Sequence, residues 1–184
     1  MIVTGNYTLD APRDRVWAAI YDLKSLLAII PGCQDIKQVS DTEYRGHIQM
    51  RLPAVVGSYQ SHMKLVEFEE PHYSRFEGAV EGSLGAIKGT ASFRLYEESE
   101  GQTIIEYEGQ GLITGSLSRL NSRFAEGLAK SLVKQGLSKL NKQIYSSSGS
   151  YSKSGTISSK GQTSTHVAQS LHLLGLITLV PLPL

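Results

Sequence analysis

Carboxylates run out two-thirds of the way along this sequence: Glu126 is the last, and the final 58 residues carry none. Residues 1–115 hold 10 Lys and Arg against 16 Asp and Glu, whereas residues 116–184 hold 8 against 1. So basic a C-terminal part either faces an anionic surface, membrane or nucleic acid, or is attracted to the acidic body of its own domain. Cysteine is nearly absent. The single Cys33 excludes an internal disulfide framework and, set after Pro31-Gly32, reads as a small buried apolar residue rather than a reactive thiol. Long apolar runs are missing too: the longest, Leu171 to Leu184, has fourteen residues and is interrupted by Pro181 and Pro183. A transmembrane helix needs about 20, so this segment does not span a bilayer. Met1 opens onto strand-like sequence with no basic, apolar leader, and the chain is expected to be cytoplasmic.

Catalytic signatures are also lacking. There is no serine nucleophile elbow, no phosphate loop and no His-Glu-x-x-His, and the glycines at 109, 111 and 115 have the wrong spacing for a dinucleotide fingerprint. His47, His62 and His72 have no Cys or carboxylate at ligand spacing, so no metal site and no catalytic residue is assigned.

What is present is period and punctuation. Residues 2–9 alternate as a strand; Asp10 and Pro12 then signal a helix start, and Val16, Ile20, Leu23, Leu27 and Ile30 recur at helical spacing in two short helices broken near Asp22. From Cys33 to Ile113 the period is two, with turn signals at 41–42, 53–57, 70–72, 82–85 and 99–101, which predicts a six-strand antiparallel meander. Its dry face carries Ile48, Met50, Met63, Leu65, Phe76, Val80, Phe93 and Leu95, and its wet face Arg45, His47, His62, Lys64, Glu77 and Arg94. The spacing predicts one long helix over 116–145, capped by Ser116, with an apolar stripe from Leu117, Leu120, Phe124 and Leu128 to Ile144. Residues 146–165 contain 15 Ser, Thr or Gly among 20 and read as a flexible linker, leaving 166–184 as an apolar tail.

This order of elements is that of the α+β helix-grip, or START-like, fold: a seven-stranded antiparallel sheet around a long C-terminal helix, with two short helices after the first strand. A narrower resemblance rests on "LDAPRDRVWAAIYD" followed by "IIPGCQDI", and further on "GSYQSHMKLVEFEEP", "EGSLGAIKGTASFRL" and "YEGQGLITGSLSRL". Over residues 1–145 the chain resembles the family of the carbon monoxide dehydrogenase G subunit. The resemblance implies an accessory protein that recruits a molybdenum-containing carbon monoxide dehydrogenase, or a related molybdenum hydroxylase, to the inner face of the cytoplasmic membrane. It further implies an apolar cavity suited to a quinone, menaquinone or ubiquinone, with no covalent cofactor and no nucleic-acid partner. The other readings kept open are a cyclase or aromatase on the same fold and a soluble lipid-binding module.

Glycines at 78, 82, 89, 109 and 111 fall inside strands, which marks either space left under the helix or sheet curvature and close packing. A cavity there is expected to be lined by Ile48, Met50, Met63, Leu65, Phe76, Phe93, Tyr107, Gly109, Gly111, Leu120, Phe124 and Leu128, with Leu27 and Ile30 near its mouth. Tyr107 is the one hydroxyl placed to orient a carbonyl there, the alternative being a phenol satisfied by backbone or water. In the tail, Leu171, Leu173, Leu174, Leu176, Ile177, Leu179 and Val180 are the membrane-associating residues, set for shallow insertion. The linker, with an r.m.s. reach of about 25 Å, equally allows that tail to enter the protein's own cavity or a partner's groove.

Overall fold

The computed structural model describes residues 2–52, 54–99 and 101–148. Strand β1 (Ile2–Leu9) leads into helices α1 (Arg13–Ile20) and α2 (Leu23–Ile29). Strands β2 (Cys33–Gln38), β3 (Glu43–Met50), β4 (Gly57–Glu69), β5 (Tyr73–Gly82), β6 (Gly85–Ser99) and β7 (Gln102–Ile113) follow, then helix α3 (Ser122–Ser148). Every strand pairing is antiparallel, and the sheet order β1-β7-β6-β5-β4-β3-β2 returns β1 to lie beside the last strand of the meander. The fold is the expected helix grip.

The local chemistry explains the breaks. Pro12, unable to donate a backbone hydrogen bond, opens α1 with its carbonyl accepting from Arg15 and Val16 at 3.0 and 3.1 Å. Asp22 caps α2, accepting from the Ser25 amide at 2.8 Å, which is the break the sequence predicts there. The turns lie where the glycine and proline signals put them; Gly101 takes φ +90° and the Glu70-Pro71 bond is cis.

Alternation resolves as expected into a closed face and an open one. Met63, Phe76, Phe93, Leu95 and Ile105 are fully enclosed on one side, while His47 and His62 sit on the other against Asp35 and Glu43. Helix α3 is about 40 Å long. It lays Leu132, Val133, Leu137, Leu140 and Ile144 on the closed face, each burial of this kind contributing about 1.5–3 kcal/mol. Under α1, Trp17 meets Tyr21, Phe68 and Phe93 with ring centroids 4.7, 5.3 and 5.7 Å away.

The predicted single helix over 116–145 is corrected in its first turns. Residues Gly115–Arg119 form a 3₁₀ turn, Leu120 is extended at φ −65° and ψ 136°, and α3 begins only at Ser122. Ser116 is therefore not the cap. Asn121 is: its side chain accepts from the Arg123 amide at 2.9 Å and its carbonyl from Ala125 at 3.0 Å. The turn is held against the sheet, Leu117 being buried with its amide donating to the Leu84 carbonyl at 3.0 Å. At the other end α3 runs to Ser148; from residue 149 the predicted linker and tail, with Leu171, Leu173, Leu174, Leu176, Ile177, Leu179 and Val180, lie outside the described residues.

Candidate functional site

The 3₁₀ turn and the start of α3 stand over one end of the sheet. Ala125, Leu128, Ala129 and Leu132 of α3 face Ile48 and Met50 of β3, Tyr59 of β4, Val80 of β5, Ile87 of β6 and Ile113 of β7. Leu117, Leu120 and Val55 close the sides of the space between them. The cavity, counted as space open to the centre of a water molecule, is about 50 Å³. That is room for a few waters at most, since each needs about 10–15 Å³ by this measure. It suits a slender chain, and anything wider must spread Leu120 and Leu128, which are half-buried.

Tyr59 alone among these lining residues carries a polar side-chain atom. Its hydroxyl donates to the Val55 carbonyl at 3.2 Å, and burial pushes its pKa up, so it stays a neutral phenol with lone pairs left to accept. The ring stands directly over Gly82, its cross-strand partner, where a Cβ would lie 2.6 Å from Cδ1. Gly82 thus admits the aromatic wall. The sequence signal for Tyr59 is its parity with Met63 and Leu65 on β4, masked because the residues just before it read as a turn.

Of the predicted lining, Ile48, Met50, Leu120 and Leu128 come together on this cavity. Met63, Leu65, Phe76 and Phe93 are on the same sheet face but packed into the core further along, Phe76 stacked on Phe93 at 6.3 Å. Ile30 is buried in that core too, whereas Leu27 and Phe124 point to solvent, 41% and 50% exposed. Helical spacing puts Phe124 on the inner stripe; the later start of α3 gives that stripe to Ala125 and Ala129 instead. Tyr107 is not in the wall. Its phenol lies over Gly5 of β1, and burial raises its pKa. Gly109 and Gly111 are buried but do not line the space; a Cβ at Gly89 would stand 2.6 Å from the Cα of its cross-strand partner Gly111, so that pair of glycines marks a close approach of β6 and β7.

Cys33 is half-buried, its thiol donating to the Asp35 carbonyl at 3.4 Å. Burial first, then the Asp35 charge, push its pKa up to about 11, so it is a protonated thiol at neutral pH. Among the described residues, no group of three His, Cys, Asp or Glu is placed to hold a metal, and no helix is long and apolar enough to cross a membrane.

Residues 5–145 match the family of the carbon monoxide dehydrogenase G subunit, CoxG. The chain belongs to the CoxG family. No curated protein matches it. Among solved structures, a conserved protein from Geobacillus kaustophilus is 22% identical to this CoxG-family chain, covers 80% of it and 97% of its own length, and superposes with a TM-score of 0.78. A START superfamily protein from Mycobacterium smegmatis is 9% identical over 79% of this chain and 97% of that one, TM-score 0.63. The Zhui aromatase/cyclase from Streptomyces sp. R1128 is 12% identical over 79% and 93%, TM-score 0.57. At these identities the likeness shows the fold alone. CoxG membership and the START-like fold together support a binding or accessory role.

Proposed function

We propose that this chain is a non-enzymatic accessory protein that brings a molybdenum-containing carbon monoxide dehydrogenase, or a related molybdenum hydroxylase, to the inner face of the cytoplasmic membrane. In its cavity it binds a lipophile of the quinone class. The observation that carries the binding reading is the cavity wall of twelve apolar side chains and one phenol. Such a wall desolvates hydrocarbon without leaving polar groups unpaired. The lining fits the isoprenoid portion of a quinone; the ring oxygens have one side-chain partner there, the Tyr59 hydroxyl. When bound, a quinone supplies acceptance of electrons from the partner, while this chain's residues contribute solvation and position.

The cyclase or aromatase reading asks for acid–base groups facing the substrate, and no carboxylate or imidazole is among the lining residues. The recruiting reading draws on the family. The carboxylate-rich surface within residues 1–115 is the one offered to the enzyme, and the basic α3 with the apolar residues near the C-terminus the one offered to the bilayer.

Native mass spectrometry of the full chain, purified from its own cells without detergent, is expected to show an adduct whose solvent extract has quinone absorbance. A clean apoprotein mass overturns the binding reading. Affinity capture after gentle extraction is expected to recover a molybdopterin enzyme; capture without one overturns recruitment.

A further inference from the structure

The cavity reaches solvent beside α3, where Ile113, Leu120 and Leu128 are the half-buried members of an otherwise closed wall. Close in sequence to wall residues stand two apolar side chains that packing does not use. Phe124 is 50% exposed one helical turn before Leu128, and Val56 is 53% exposed directly after the wall residue Val55. An isolated exposed hydrophobe is ordinary. Here the charges around the pair give it a meaning. Arg51 precedes Val56, and Arg119 and Arg123 precede and adjoin Phe124; all three are exposed, and none is in an ion pair of the described residues. Arg13, His47, His62, Arg75 and Lys88, on α1 and the sheet, do form ion pairs. Past Glu108 a single carboxylate, Glu126, offsets the basic side chains.

We propose that this rim of the folded domain, Val56 and Phe124 with Arg51, Arg119 and Arg123, seats directly on an anionic bilayer and joins the cavity to the acyl-chain layer. This contact is separate from the one assigned to the C-terminal tail. Apolar tips enter the headgroup boundary while guanidinium groups pair with phosphate, and the acidic remainder of the domain turns outward by repulsion. The choice of a bilayer over a protein rests on the reading that the cavity holds a lipophile: an opening on this face lets a water-insoluble ligand pass without crossing water. The sign of the free charges fits that choice.

Phe124→Trp in the full chain places a reporter on the rim, and the native Trp17, 4% exposed, is screened from quenchers. With vesicles of phosphatidylcholine and phosphatidylglycerol brominated on their acyl chains, emission from the introduced tryptophan is expected to be quenched and wild-type emission unchanged. The Arg119→Gln/Arg123→Gln variant is expected to bind those vesicles about 30-fold more weakly, two lost cations each counting about one headgroup contact. Its co-purified lipophile is expected to match wild type. Sedimentation with the vesicles and no quenching overturns the proposal and gives the rim to a protein partner; no sedimentation overturns it as well. Loss of the cavity reading shows separately, as an apoprotein mass in wild type with quenching intact.

Discussion

Tyr21 and Ser74 are joined hydroxyl to hydroxyl beneath α1, and Ser74 is wholly buried. Tyr21→Phe leaves the serine oxygen without its partner, at an expected cost of about 1–3 kcal/mol in urea unfolding. Tyr21→Phe/Ser74→Ala is expected to regain part of that, because an unmade buried bond costs more than an absent one. Asp22 sets a pH dependence. Burial raises its pKa, yet the Ser25 hydroxyl and amide, donating at 2.6 and 2.8 Å, with help from Lys24, bring it below the ordinary value. The folded protein then binds that proton less tightly than the unfolded chain. Its stabilisation is present above the unfolded pKa, near 4, and is lost as pH falls through the folded one. Asp22→Asn caps equally well without titrating, so it is expected to keep neutral-pH stability within about 0.5 kcal/mol and flatten the acid limb of the urea-midpoint profile.

At the scale of elements, the cavity exists because α3 presents small residues to the sheet in its first turns and large ones later. Ala125 and Ala129 leave the space that Leu137, Leu140 and Ile144 fill further along. Ala125→Leu is expected to close it, lowering the loaded fraction in native mass spectrometry at least about tenfold while costing less than about 3 kcal/mol of stability. The far end of the same helix is clasped to the β1–α1 connection: the Asp10 amide donates to Asn141 Oδ1 at 2.7 Å and Asn141 Nδ2 donates back to Asp10 Oδ2 at 2.8 Å. With that end fixed, any widening to admit a ligand falls to the 3₁₀ turn and the start of α3. Asn141→Ala is expected to lower stability by about 1 kcal/mol and leave ligand content unchanged.

For the whole molecule the organising feature is polarity of charge, an acidic sheet domain against a basic C-terminal part. A chain ending at Ser148 keeps every core residue buried among the described ones but loses the apolar segment from Leu171 onward. Flotation with anionic liposomes is expected to be at least about tenfold weaker for that shorter chain, the remainder being carried by the rim and falling with added salt. Equal flotation of the two chains removes the tail from membrane binding.

The meander, the break at Asp22, the wet and dry faces and the turn positions were legible in the residues alone, because period-two alternation and Gly, Pro and Asp punctuation are local physics. Ile48, Met50, Leu120 and Leu128 were assignable to the cavity wall from which face they occupy. Which part of that long face stays unfilled was not. Met63, Phe76 and Phe93 have the same parity as Ile48 yet pack solidly, since what decides is which residues α3 and the turn before it lay over each register. That placement follows from a 3₁₀ turn docked on Leu84, from Asn121 rather than Ser116 starting the helix, and from Tyr59 lying over Gly82. The docking on Leu84 and the stacking over Gly82 depend on how separate segments meet in the folded chain, so only the tertiary structure placed the hollow and the hydroxyl in it.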